Sequence, residues 1–297
     1  MILDFEILSV FSRERYEGNL LGVFLPSSAQ PPDSLSADQA LAVARELDFS
    51  EIVFAWPPVA GRATVRIFSP GRELAFAGHP CLGAADALSR RAGQPFDAVV
   101  LETGAGAVPV RRTRAGRGSS GNEFFMDQRP PVFGRKVAAA EAARVLALAR
   151  SAIDARFDPR EVSTGLPHVL VPLRDRASVD ACGIDACAYG AWLRDGLPPN
   201  ILVFAPGAED ADWSVRMFAP GIGIPEDPAT GSGAGCLAAW MLESGYAPGD
   251  TLRGRIEQGR VMGRASYLSI VAKRTGEGIA VSVGGQVTLV AEGRYRL

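Results

Sequence analysis

The chain is poor in several residue types that usually mark a chemistry. Among 297 residues there are only two histidines and four cysteines. Of the 31 basic residues just two are lysine, Lys136 and Lys273. Basic and acidic groups nearly cancel, leaving a formal net charge of -2, so the basic excess of a nucleic-acid binder is missing. No apolar run approaches the roughly 18 residues needed to cross a bilayer. The N-terminus, Met1 to Val10, carries Asp4 and Glu6 where an export signal needs basic residues, and it reads as a first strand. The spacings of Cys81, Cys182, Cys187 and Cys236 match no zinc ribbon, no redox pair and no disulfide scaffold. The expectation is a cytoplasmic protein with reduced thiols and no metal site, acting on neither nucleic acid nor membrane. What is abundant is apolar material, at 47% against 22% charged, which excludes disorder and suffices for one large core or two medium ones.

An internal repeat organises the chain. Val65-Arg-Ile-Phe-Ser-Pro-Gly71 recurs as Val215-Arg-Met-Phe-Ala-Pro-Gly221. Each copy continues through a short loop to an x-Pro-x-x-Gly turn, Gly83 closing the first and Gly231 the second. Aligned on the shared proline, His79 falls opposite Asp227, half a chain length away. Each copy then enters a run of small residues, Pro80–Ala92 before Gly93 and Pro228–Ser244 before Gly245. Proline near the start and glycine just past the end punctuate helices. A helix apolar nearly all round is a buried one, and small side chains let the surrounding backbone come close. The chain is therefore expected to be α+β, with two pseudo-symmetric lobes, each a curved sheet or barrel around a central helix. The first lobe is expected over residues 1–122 and the second over 123–297, with the extreme C-terminus able to return to the first.

Period-two apolar patterns predict first-half strands at Phe5–Val10, Gly22–Leu25, Ile52–Ala55, Thr64–Phe68 and Ala98–Glu102. The second-half strands are expected at Val169–Pro172, Ile201–Phe204, Ser214–Phe218, Leu268–Ala272, Ile279–Val283 and Val287–Glu292. Outer helices are expected at Ala37–Leu47, Val137–Ile153 and Asp185–Leu193, the first opened by a capping box, Ser36 with Gln39. Arg111–Asn122, rich in Gly and Ser, reads as a hairpin tip or linker.

Three polar residues stand out against this background. His79 and Asp227 occupy matching places at the two predicted buried helix starts. If the halves face each other, both helix N-termini meet a shared cleft, and free N–H groups there suit a substrate carboxylate. Gly231, Ser232 and Gly233 could donate to it. The plain structural use of the same residues is also open: Asp227 as a cap and His79 as a packed loop residue. Glu51, in Phe49-Ser-Glu-Ile-Val-Phe54, alternates with Phe49 and Val53. On the apolar side its pKa would rise toward acid/base duty; on the other side it is merely a solvated glutamate. Gly231–Gly235 is not a dinucleotide fingerprint, because the G-x-G-x-x-G spacing is absent.

Phe76-Ala-Gly-His-Pro-Cys-Leu-Gly-Ala84, Ser163-Thr-Gly-Leu-Pro-His168, Glu226-Asp-Pro-Ala-Thr-Gly-Ser232 and Gly284-Gly285 resemble the signature segments of the phenazine-biosynthesis PhzF-like isomerases. Ser50-Glu51 and Tyr16-Glu-Gly-Asn-Leu20 fit as well, and the resemblance runs from about residue 4 to residue 292. It implies a diaminopimelate-epimerase-like fold and a cofactor-free homodimer that isomerises a small cyclic or amino-acid-like carboxylic acid by a proton shift. It implies Glu51 as the acid/base, with His79 and Asp227 also catalytic. Gly78, Gly231 and Ser232 would bind the substrate's carboxylate or polar groups. A two-base racemase of the same fold is the nearest alternative. It would need a cysteine in each lobe at matching positions, and those positions hold His79 and Asp227. A non-catalytic small-molecule binder is the other alternative.

Overall fold

The computed structural model describes residues 2–115, 121–208 and 210–297. Part of the expected tip at Arg111–Asn122, residues 116–120, lies outside the described residues. The chain forms two compact units, Met1–Asp127 with Gly284–Leu297, and Gln128–Val283.

The first unit runs β1 (Ile2–Val10), β2 (Asn19–Leu25), α1 (Ala37–Leu47), β3 (Ile52–Ala55), β4 (Arg62–Phe68), β5 (Glu73–Leu74), α2 (Gly78–Arg91), β6 (Ala98–Thr103), β7 (Gly106–Arg114) and β8 (Asn122–Asp127). β1 and β2 are antiparallel, β2 and β3 parallel across α1, and β3 and β4 antiparallel. β4 and β6 are parallel across α2, and β7 adds antiparallel to β6 and β8 to β7. α2 is buried from His79 to Ser89 and touches β1, β2, β3, β6, β7 and β8, so the sheet curls around it. Its small residues make this possible: at Gly83 the Leu21 side chain fills the space a Cβ would need. The other sheet face packs on α1 through Phe24, Ala40, Ala44, Phe54 and Phe68, with Phe24 and Phe54 stacked at 4.7 Å. The last turn of α2 carries Arg90 and Arg91, favourable at a helix C-terminus. Both donate to Glu6, a carboxylate only 1% exposed on β1, at 2.7 and 3.3 Å.

The second unit repeats the order. It runs β9 (Val132–Lys136), α3 (Ala139–Val145), β10 (Arg160–Ser163), β11 (Pro167–Pro172), α4 (Arg176–Ala181), α5 (Ala186–Arg194), β12 (Ile201–Pro206), β13 (Trp213–Ala219), β14 (Ile224–Asp227), α6 (Gly231–Glu243), β15 (Thr251–Gln258), β16 (Ser266–Thr275) and β17 (Gly278–Gly285). β10 and β11 are antiparallel, β11 and β12 parallel, β12 and β13 antiparallel, β13 and β15 parallel across α6, and β15 and β16 antiparallel. This is the first unit's pattern from β1 to β7. The sequence repeat is thus the same crossover in both units, β4 to α2 and β13 to α6. α6 is buried except at Ser232 and Glu243 and touches β10, β11, β15 and β16. Both units are α+β, with a curved sheet and one central helix.

Several local expectations differ from the structure: Arg111–Arg114, expected in a tip or linker, pair with β8 as part of β7, and α6 begins at Gly231 and not at Pro228. Val287–Glu292, expected among second-half strands, belongs to β18 (Val287–Arg296), which runs antiparallel to β1 from Ile2↔Arg296 to Val10↔Val287. Val137–Ile153 is not one helix. α3 stops at Val145, Ala147 turns left-handed at φ 53°, and Leu148 returns its N–H to the Ala143 carbonyl. That closure is the usual helix-terminating motif, with alanine where glycine is the common choice. α2 starts at Gly78 and not at Pro80, because a proline is tolerated anywhere in the first turn. Among the described residues no helix is long and apolar enough to cross a membrane.

Candidate functional site

In the first unit two predicted residues come together. Glu51 sits immediately before β3, and its neighbour Ser50 bonds the Asn19 side chain at the start of β2. His79 is the second residue of α2. The crossover between β4 and β6 brings that helix start to the beginnings of the parallel strands β2 and β3. Glu51 Oε2 lies 3.6 Å from His79 Nε2, with Glu51 about one-fifth exposed and His79 buried. Burial lowers the His79 pKa, and the nearby Glu51 charge and a hydrogen bond to the Leu20 backbone offset this only in part. The imidazole is therefore neutral. Among the described residues Nε2 has no hydrogen-bond partner, so the Leu20 bond falls to Nδ1–H. That tautomer turns the bare Nε2 lone pair toward the Glu51 carboxyl. Gly78 precedes His79 at the first helical position.

In the second unit Asp227 ends β14, four residues ahead of α6. It and His79 are therefore matched in sequence but not in local placement, one on a strand end and the other inside a helix turn. Asp227 Oδ2 accepts from Thr230 Oγ1 at 2.6 Å, and Oδ1 accepts from Ala229 N–H at 3.4 Å. Gln258 braces the turn: its Nε2 donates to the Asp227 carbonyl and to Thr230 Oγ1, and its Oε1 accepts from Thr230 N–H. Gly231 and Ser232 open α6. The central helices share one property here. Neither Ala77 nor Thr230, their cap residues, makes a side-chain capping bond. Of the outer helices, α1, α4 and α5 are capped by Ser36, Asp175 and Asp185, while α3, behind Ala138, has no side-chain cap either. First-turn N–H groups left without a cap are donors for an external anion.

Four residues with no predicted role back this helix start. Gln128 Nε2 donates to the Gly231 carbonyl at 2.9 Å, and its Oε1 accepts from Thr164 Oγ1 at 2.6 Å. The amide passes over α6 at Gly235, where any Cβ would collide with it. His168 Nε2 lies 3.0 Å from Ser232 Oγ, and burial pushes this histidine's pKa down to about 4. Thr164 and His168 lie within the Ser163–His168 segment, so a signal existed for them. Gln128 and Gln258 had none.

The thiols are not equipped as bases. Burial pushes Cys81 up to about 12 and Cys236 to about 11, so both stay protonated at neutral pH. Among the described residues no cluster of three or more His, Cys, Asp or Glu side chains could hold a metal ion. Two cavities elsewhere, one along β4 and β5 and one beside Pro130 and Arg274, are lined by none of the residues above.

Comparison with known proteins identifies the family and the fold. Residues 8–293 match the phenazine biosynthesis-like protein family. Over 295 residues the chain is 34% identical to trans-2,3-dihydro-3-hydroxyanthranilate isomerase of Pseudomonas aeruginosa, covering 98% of both. The fold is similar to that of a PhzF-family phenazine biosynthesis protein from Bacillus anthracis, with TM-score 0.88 at 20% identity and full coverage of both chains. It is also similar to a hydroxyproline epimerase from Agrobacterium vitis, with TM-score 0.59 at 14% identity, covering 99% of this chain and 92% of that one. The chain belongs to the phenazine biosynthesis-like family, whose matching curated members are isomerases.

Proposed function

We propose that the protein is a cofactor-independent isomerase that shifts a proton within a small cyclic or amino-acid-like carboxylic acid. Glu51 carries the proton, with His79 and Asp227 as its catalytic partners. Gly78, Gly231 and Ser232 bind the substrate's carboxylate or adjacent polar groups. The observation that carries the reading is the Glu51–His79 pair: a partly shielded carboxyl facing a neutral imidazole whose tautomer is set by Leu20.

The chemistry follows from those groups. The Glu51 carboxylate takes a weakly acidic C–H proton, and the bonding pair moves into the adjacent unsaturated system. The resulting carboxylic acid returns the proton to another carbon, so no oxidant or leaving group enters. His79 Nε2, close to Glu51, accepts a hydrogen bond from the protonated carboxyl as the pair tightens, holding it between the two transfers. Asp227, held by Thr230 and the Ala229 N–H, is the carboxylate of this helix start that meets a substrate hydroxyl or amine. The uncapped helix starts stabilise negative charge as it develops. The buried, protonated thiols speak against a racemase with two cysteine bases.

The substrate named for the Pseudomonas relative, trans-2,3-dihydro-3-hydroxyanthranilate, is the first acid to test. In deuterated water the wild-type protein should isomerise it and incorporate deuterium. Glu51→Gln should lose both by at least about a hundredfold. A folded Glu51→Gln protein with full turnover would refute the role of Glu51. Saturable binding without exchange by the wild type would favour the non-catalytic reading. Self-association as a homodimer is part of the proposal, and sedimentation velocity tests it.

A further inference from the structure

Of the two histidines, the one outside the proposed proton relay has the more unusual surroundings. His168 on β11 is fully buried, and among the described residues Ser232 Oγ is the only partner of its ring. Its Nδ1 has no partner at all among the described residues. A neutral imidazole carries its one hydrogen on either nitrogen. Were it on Nδ1, a buried N–H donor would stand unpaired, a rare arrangement that costs about 1–3 kcal/mol. An unpaired ring lone pair in apolar surroundings is the milder choice. The ring hydrogen therefore sits on Nε2 and is donated to Ser232 Oγ across 3.0 Å.

This decides what Ser232 can do. A serine hydroxyl has one hydrogen to give and two lone pairs to receive with. With His168 donating into the oxygen, the Ser232 hydrogen cannot point back at the ring. It is left to point away, from the partly exposed first turn of α6. We infer that His168 is a positioning residue whose Nε2–H takes one Ser232 lone pair and turns the Ser232 hydrogen outward, so that this position offers a directed donor to a substrate oxygen acceptor such as a carboxylate. The neutrality of the ring supports this, since a fully buried imidazole with its pKa near 4 offers a single N–H throughout the physiological range. The surrounding bonds hold the arrangement in place. Gln128 ties the Gly231 carbonyl to Thr164, and at Gly233 a Cβ would run into the Leu202 side chain at 2.6 Å, so glycine lets the first turn of α6 seat against β12. The inference rests on the proposed function only in taking the bound ligand to be a carboxylate.

Two measurements test it separately. Nitrogen-15 NMR of histidine-labelled wild-type protein reads the tautomers directly, and only two rings need assigning. His168 is expected to be protonated at Nε2 and His79 at Nδ1. Protonation of His168 at Nδ1 overturns the inference whatever the protein's function is, and this measurement needs no variant to fold. The second measurement is calorimetric binding of trans-2,3-dihydro-3-hydroxyanthranilate in a Glu51→Gln background, which prevents turnover. Adding His168→Phe should weaken binding about tenfold, about 1.4 kcal/mol, the worth of one oriented hydrogen bond to an anion. His168→Gln, which restores an N–H near the same point, should recover most of it. On a Ser232→Ala background His168→Phe should have no further effect. Equal affinities for the His168→Phe and parent proteins, or additive losses with Ser232→Ala, overturn the inference. Absence of binding in the Glu51→Gln parent would count against the proposed function, and the NMR result would then decide the His168 assignment alone.

Discussion

The buried His168 makes a sharp prediction about acid stability. Its pKa is about 4 in the folded protein against an ordinary value of 6.5, and the cause is burial alone. Above pH 6.5 the ring is neutral whether the chain is folded or not, and its full contribution is present. Between pH 6.5 and about 4 the unfolded chain binds a proton here and the folded protein does not, so stability falls as pH falls. Below about pH 4 both states are protonated and the loss levels off. Each pH unit inside the window costs about 1.4 kcal/mol. Because the side chain is fully buried, no discount for solvent screening applies. Moving from pH 7 to pH 5 should therefore remove about 2 kcal/mol through this one residue. Urea denaturation of the wild type and His168→Gln at pH 7, 6 and 5 isolates the effect, since His79 and the carboxylates are common to both. The wild type should lose about 2 kcal/mol more than the variant over that interval. Equal losses would refute the reasoning. So would an NMR titration of the folded wild type in which the His168 ring titrates near pH 6.5, a readout that stands even if the variant misfolds.

Gly235→Ala should drive the Gln128 amide off α6 and break its bonds to Gly231 and Thr164, costing about 1–3 kcal/mol in urea midpoint measurements. An unchanged midpoint would mean the amide has another path. Of the four thiols only Cys187 is exposed, and burial raises the pKa values of Cys81, Cys182 and Cys236. A thiol reagent should titrate one cysteine in the folded protein and four in denaturant, and a second fast-reacting thiol in the folded state would contradict this.

Much of the architecture was open to inspection in the primary structure because its causes are local. α1 spans the expected Ala37–Leu47, and the Ser36–Gln39 capping box is formed. The duplicated Val-Arg-x-Phe strands lead into two small-residue helices, both buried, as an all-round apolar pattern requires. Two of the strands that escaped notice have polar exposed faces. β7 interleaves Arg111, Arg112 and Arg114 with few buried positions, and β14 carries Pro225, Glu226 and Asp227. Their apolar signal is too thin to register, and pairing with neighbouring strands holds them. The break after α3 escaped for a related reason: alanine at 147 adopts the left-handed turn because Val145 and Leu146 are anchored in the core.

The amino-acid order alone was enough to name the family segments, the two-unit organisation of the repeat and the catalytic candidates Glu51, His79 and Asp227. It could not reveal that Glu51 and His79 stand 3.6 Å apart with one ring nitrogen claimed by Leu20, nor that His168 on β11 reaches Ser232 at the start of α6. Those facts depend on parallel crossovers that carry a helix start to a strand end tens of residues away in the chain. Only the folded sheet sets that distance, and only burial there decides which nitrogen keeps its proton.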